Sequence, residues 1–367
     1  MTSKIFNRRL FVEGIRQLKI PGTILTIFYT LMAVVYPMDG LTEDLSLSHA
    51  SSSGIYQPSG VGFFEMFPIM DVTFFLVAPF LVFWLFRFLT SRKNSDFYHA
   101  LPVSSSCLTV SFFASVLAWT AAILIISASV GTAIYGANPW RFTVDYGSVL
   151  RAIPGKIALS VMTGGYALLG VALTGTAMSG LVATVLLPYL PMLAHAAIMD
   201  RLYDAYTSTL SKAEAGVKGN TSLLAFINNY EDFLQLNLMN WFDEPLHETG
   251  QIIYTLVCGI AVFLIALLLL RRRKSETAGR PAMNVAVHHG IRIAGTLFIM
   301  WFLGGSHIAG GVSLAVIGVA LTAYFAYELI TTRRWYNLLR SLVWLPVVAL
   351  LYFVPFWVGD LMAALFR

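Results

Sequence analysis

Long uncharged intervals dominate the chain. No Asp, Glu, Lys or Arg occurs between Lys19 and Asp39, Asp96 and Arg141, Lys156 and Asp200, Glu248 and Arg271, Arg292 and Glu328, or Arg340 and Asp360. A helix crossing a hydrocarbon core of about 30 Å needs about 20 such residues. The intervals after Lys156 and Arg292 are long enough for two crossings, divided at Thr174-Gly175-Thr176 and at Gly304-Gly305-Ser306-His307. A further apolar run, Met66 to Phe86, carries only Asp71. The pattern predicts an all-α polytopic membrane protein with about eight or nine transmembrane helices. The expected spans are 20–37, 66–87, 106–135, 155–174, 178–199, 251–270, 286–304, 310–330 and 341–359.

Composition agrees and excludes a water-soluble protein. Of 367 residues, 57% are hydrophobic and 12% charged, against roughly 25% charged in soluble domains. The sign of each flanking charge then orients the spans. Residues 1–19 hold Lys4, Arg8, Arg9, Arg16 and Lys19 against Glu13, which places the N-terminus in the cytoplasm. Residues 38–65 carry Asp39, Glu43, Asp44 and Glu65 and no Lys or Arg, so they are expected outside. Arg87, Arg92 and Lys93, then Arg271 to Lys274, then Arg333, Arg334 and Arg340, continue the alternation inside; Arg141 and Arg151 are an exception. The larger extracellular loop, 200–250 between spans five and six, is acidic, and it reads as a soluble cap or as a gate over a path. The expected organisation is a cytoplasmic N-terminal helix (1–19), a six-span core (20–270) and additional C-terminal spans (271–367). The pI near 9.1 reflects anchoring at the cytoplasmic face, not nucleic-acid binding.

Catalytic signatures are missing. The chain has no G-x-x-x-x-G-K-[ST], H-E-x-x-H, C-x-x-C or G-x-S-x-G. His288 and His289 are adjacent, so on a helix they point about 100° apart and suit one metal poorly. Neither a metal nor another cofactor is expected in this chain. The ionisable groups near spans are few. Asp71 is the weak candidate for a substrate path. Lys156 sits at the outer start of span four and can snorkel, and Glu328 lies at the cytoplasmic end of span eight, close to Arg333 and Arg334. Small-residue stripes (Ser160, Gly164, Ala167; and Gly311, Ala315, Gly318, Thr322, Ala326) read as helix-packing faces.

The most distinctive segment follows span two. In Ser91–Val103, Asn94 or Ser95 can cap a helix, Asp96 suits its N-terminal end and Pro102 stops it. This short helix cannot cross a membrane. It lies in the interface, or it inserts Phe97, Tyr98 and Leu101 into a partner's groove. Ser95-Asp96-Phe97-Tyr98-His99-Ala100-Leu101-Pro102 resembles the S-D-F-Y-H-x-L-P segment of bacterial ATP-binding-cassette transporter permeases of the type-2 exporter class. Arg273-Lys274-Ser275-Glu276-Thr277-Ala278-Gly279 resembles that family's R-K-x-E-x-A-G stretch, and Tyr327-Glu328 to Arg340 looks like its later cytoplasmic turn. The three or so spans beyond the class's six, and the stop at Arg367 just after the last span, depart from the pattern.

The resemblance implies a permease subunit in the bacterial plasma membrane, not itself an enzyme. It would couple ATP hydrolysis by a separate ATPase subunit, which binds ATP and Mg, to export of a substrate that the sequence does not select. A second permease chain, identical or similar, would complete the path. Asp96, Phe97, Tyr98, His99 and Leu101 would contact the ATPase. Residues 1–19, with Arg8 and Arg9, and the stretch holding Lys274 and Glu276 read either as anchors on lipid phosphates or as a second ATPase contact. The alternative function is a self-sufficient polytopic protein, either a secondary transporter or a membrane-embedded enzyme.

Overall fold

The computed structural model describes residues 5–47, 59–91, 96, 103–139, 142–214, 249–273, 278–280, 282–304, 314–332, 339 and 341–365. Six of its helices are long and apolar enough to cross a membrane: Ser105–Gly136, Tyr146–Leu173, Thr249–Arg272, Val285–Leu303, Leu314–Thr332 and Leu342–Leu365. Arg8–Gln17 and Lys19–Val35, bent by 59°, make a seventh if counted as one span. The protein is thus helical with several apolar segments suited to a bilayer. Two compact units divide it: Met1–Leu169 with Asn240–Ser275, and Gly170–Met239 with Glu276–Arg367.

The first unit is organised on α6 (Ser105–Gly136), which follows α1 (Arg8–Gln17), α2 (Lys19–Leu47), α3 (Phe63–Met66), α4 (Pro68–Thr73) and α5 (Val77–Phe86). Ser104 caps α6 by accepting from the Cys107 N–H at 3.2 Å. The break between α1 and α2 falls where Pro21 requires it. Proline has no N–H to give residue 17, and it fits readily in the first turn of a new helix. Gly22 then lets α2 close on α6, since a Cβ there would lie 2.5 Å from the Trp119 ring.

The apolar interval 66–87 is not one continuous helix. A 3₁₀ turn over Phe74–Leu76 separates α4 from α5, and another over Arg87–Thr90 follows α5. Pro79 cannot donate to the Phe75 carbonyl, so the α-ladder lapses one turn before it. The Thr73 hydroxyl, bonded to the Ile69 carbonyl at 2.6 Å and to Tyr29 Oη at 3.0 Å, ties the broken region to α2. Among the described residues, two three-residue strands accompany the helices. β1 (Ser59–Val61) and β2 (Phe142–Val144) pair in parallel with Ser59 opposite Phe142. The unit closes with most of α7 (Tyr146–Leu173) and, after α8 (Ala177–Glu214), with α9 (Thr249–Arg272). Gly259 of α9 meets α7 so closely that a Cβ would sit 2.8 Å from the Met162 nitrogen, and Phe113 stacks on Phe263 at 4.6 Å.

The second unit holds α8 (Ala177–Glu214), α10 (Val285–Gly304), α11 (Leu314–Thr332) and α12 (Leu345–Leu365). Its core packs Ile293, Leu297 and Trp301 of α10 with Tyr324 of α11 and Val348, Tyr352 and Phe356 of α12. α8 continues well past the expected end of span five at residue 199. Residues 192–214 contain no Gly or Pro to stop it, so the first part of the expected loop 200–250 is helix. Residues 215–248 lie outside the described structure. The turn at 174–176 is fastened to the chain before α10 by Gly279 N–H to the Gly175 carbonyl at 2.7 Å and Met283 N–H to the Leu173 carbonyl at 2.8 Å. Gly279 has φ 79°, a left-handed conformation that glycine adopts without a Cβ penalty.

Candidate functional site

The stems of the segment 92–102 are the part of the expected coupling region that can be built atom by atom. One stem is the 3₁₀ turn Arg87–Thr90, in which Phe88 and Leu89 are buried. The other is the Ser104 cap and first turn of α6. Both are bonded to the last turn of α9. Arg273 donates to the Leu89 carbonyl at 2.9 Å, and the Ser105 hydroxyl donates to the Leu270 carbonyl at 3.4 Å. Arg273 is 6% exposed, and its burial lowers the guanidinium pKa to about 10. It therefore keeps its charge at neutral pH. A pocket of about 80 Å³ lies between these parts, lined by Phe86, Phe88, Val103, Leu108, Leu270 and Arg273 among others.

Of the residues expected to contact an ATPase, Asp96 is described and exposed. Phe97, Tyr98, His99 and Leu101 lie outside the described residues, as do Lys274 and Glu276. Arg8 and Arg9 are exposed on α1. Asp71 lies in α4, with its side chain outside the description. Lys156 is buried inside α7, at 5% exposure.

Glu328 lies at 3% exposure with its carboxylate on two residues of α10, while Arg333 and Arg334 lie outside the described residues. Arg292 Nη1 donates to Glu328 Oε2, and His288 Nε2 meets the same oxygen at 2.9 Å. Asn284 caps this end of α10 by accepting from the Val287 N–H at 2.8 Å, which starts the helix so that His288 and Arg292, i and i+4, share one face. Arg292 also lies over the Tyr324 ring at 4.5 Å, and Tyr324 Oη donates to the Ser341 carbonyl at 2.6 Å. His289 adds a contact to Arg292 at 3.1 Å and a ring contact to Trp344 at 5.0 Å. Two buried atoms, His288 Nδ1 and Arg292 Nε, lack a hydrogen-bond partner among the described residues. The spacing of His288 and Arg292 was the only sequence signal for this cluster, and nothing in it indicated Glu328 as the third member.

The small-residue stripes behave differently from one another. Ser160 and Ala167 are buried, and Gly164 faces Phe113 and Ala78. On α11, a Cβ at Gly318 would meet nothing within 4 Å, and Ala315 and Thr322 are exposed. No protein-family model matches the chain, and neither a curated protein nor a solved structure does so.

Proposed function

We propose that this chain is the membrane permease subunit of an ATP-driven exporter of the ATP-binding-cassette type, located in a bacterial plasma membrane. Its N-terminus is cytoplasmic, and ATP and Mg belong to a separate ATPase subunit. Two permease chains, alike or similar, enclose the path. The observation that carries the reading is the double attachment of the segment around Asp96. Its stems end at Leu89 and Ser105, and both are bonded to the last turn of α9 through Arg273 and Leu270. A force on the segment is therefore delivered to α5, α6 and α9 together, as coupling to a moving partner requires. The S-D-F-Y-H-A-L-P sequence supports the same assignment.

Co-purification tests it. The wild-type chain, expressed with its candidate ATPase, should bring that subunit down, and Phe97→Ala with Leu101→Ala should release it. Full ATP-dependent activity in the doubly substituted protein would overturn the assignment. The second reading, a self-sufficient proton-linked transporter, draws on buried Glu328, His288 and Arg292, because ionisable groups within apolar helices often mark proton relays. That reading expects the chain to work without an ATPase.

A further inference from the structure

The packed face of α1 is held in one register along α6. Asn7 N–H donates to Ser111 Oγ at 3.0 Å, Ser115 Oγ to the Phe11 carbonyl at 2.8 Å, and Trp119 Nε1 to the Ile15 carbonyl at 3.2 Å. Each pair is separated by 104 residues, so the two helices run parallel with matched rise. Gly14 allows this approach, since a Cβ there would lie 2.4 Å from Ser115 Oγ. The opposite face is thereby fixed in position and left open.

That open face mixes guanidinium groups with apolar side chains. Arg8, Arg9, Val12 and Arg16 fall within about a 100° arc of the helix, and all are exposed. Ile5 and Phe6 extend the face at one end, and Lys19 and Ile20 beyond the bend. Ile5, Val12 and Ile20 are 74%, 55% and 69% exposed. The one acid of α1, Glu13, is bonded to Gln17 at 3.2 Å. A shallow groove runs over Phe6, Asn7, Arg8, Arg9, Val12 and Glu13.

We infer that this face binds the headgroups of anionic phospholipids. Guanidinium forks match phosphate oxygens. The interleaved isoleucine and valine gain by entering the acyl boundary, which an acidic protein surface would not offer them. The face also directly precedes the first apolar helix, α2. The charge pattern assigns this end to the cytoplasmic leaflet, whose negative potential attracts such segments. The inference is independent of the permease assignment.

The test uses the purified full-length chain in a neutral detergent, titrated with dioctanoyl phosphatidylglycerol, dioctanoyl phosphatidylcholine or inorganic phosphate. Binding is followed by native mass spectrometry and thermal shift. The wild type should bind phosphatidylglycerol in preference to phosphatidylcholine. The triple variant Arg8→Gln, Arg9→Gln, Arg16→Gln should lose that preference, with affinity for phosphatidylglycerol falling by roughly a hundredfold if three basic residues act as they do at an anionic surface. Its melting temperature without lipid should equal the wild type's, because the packed face is untouched. Should that melting temperature fall, the Arg→Lys triple variant, which keeps the charge, is compared at matched stability and should retain the preference. Equal binding of the two lipids by the wild type, or unchanged preference in the glutamine variant, would overturn the inference. So would an equal response to inorganic phosphate. Release of a co-purified ATPase by the glutamine variant, with lipid preference intact, would overturn it in favour of protein docking.

Discussion

Arg273 donates to the backbone carbonyl of Leu89 at 2.9 Å, across 184 residues of chain. The bond joins the end of α9 to the turn that leads into the S-D-F-Y-H-A-L-P segment. A backbone acceptor fixes the position of the main chain itself, so Arg273 holds the turn at Leu89 in place. A side-chain acceptor at Leu89 would leave the backbone freer to move.

Arg273→Gln should therefore destabilise the first unit by about 1.5–3 kcal/mol, the usual range for a hydrogen bond to a charged group. Ser105→Ala should cost less, because its bond to the Leu270 carbonyl is long at 3.4 Å. Thermal melting of the purified chain in detergent measures both. If Arg273→Gln melts with the wild type, the guanidinium does not fasten the stem.

Glu328→Gln should be the more damaging change. It leaves the Arg292 guanidinium, whose side chain is fully buried, without its carboxylate. Breaking a buried pair from one side costs about 3–5 kcal/mol. Adding Arg292→Met to Glu328→Gln should recover much of the loss, because both charges are then gone. The double-mutant cycle reads the coupling directly. Additive effects would mean that the pair does not interact as described.

Glycine substitutions should differ in sign. At Gly259 a Cβ would lie 2.8 Å from the Met162 nitrogen and 2.9 Å from its Cα. Those are backbone atoms and cannot swing aside, so Gly259→Ala should destabilise by separating α7 from α9. At Gly318 the same methyl enters open space. Gly318→Ala should stabilise α11 by up to about 1 kcal/mol through the reduced backbone entropy of the unfolded chain. Parallel melting curves check both. A loss at Gly318 would instead indicate that a second helix uses this face in the assembled protein.

These contrasts explain how far the sequence could be read. Uncharged intervals located the apolar helices because burying a charge in hydrocarbon is costly in any fold, whatever the helix packs against. The break at Phe74–Leu76 was also legible in principle, since Pro79 removes one donor at a known offset. The arrangement around Glu328 was not. Among the described residues its partners, Arg292 and His288, come from another helix 36 and 40 residues away, a separation that local sequence gives no means of bridging. Likewise the stripes on α7 and α11 are both built of small residues, yet Ser160 and Ala167 are buried whereas Ala315, Gly318 and Thr322 are exposed. Composition supplies a face that permits close approach, and only the tertiary arrangement determines whether anything approaches it.

The docking of α1 gives a final, local test. Trp119 Nε1 reaches the Ile15 carbonyl at 3.2 Å, near the bend that ends the helix at Leu18. Ser115 Oγ donates both to the Phe11 carbonyl and to its own helix at Ser111, at 2.8 and 3.0 Å. Trp119→Phe keeps most of the ring against Gly22 but removes the indole donor, at a cost of about 0.5–1.5 kcal/mol. Ser115→Ala removes the hydroxyl that bridges the two helices. Each alone should loosen α1 without unfolding α6, whose cap at Ser104 is independent. Together they should expose Arg8, Arg9 and Arg16 to trypsin, because a protease needs several residues of extended chain and a docked helix withholds them. Limited proteolysis of the double variant should therefore remove the N-terminal segment faster than in the wild type, with the remaining fragment still folded. If the cleavage rate is unchanged, these two side chains do not hold α1, and the Gly14 contact with Ser115 and Phe112 must suffice.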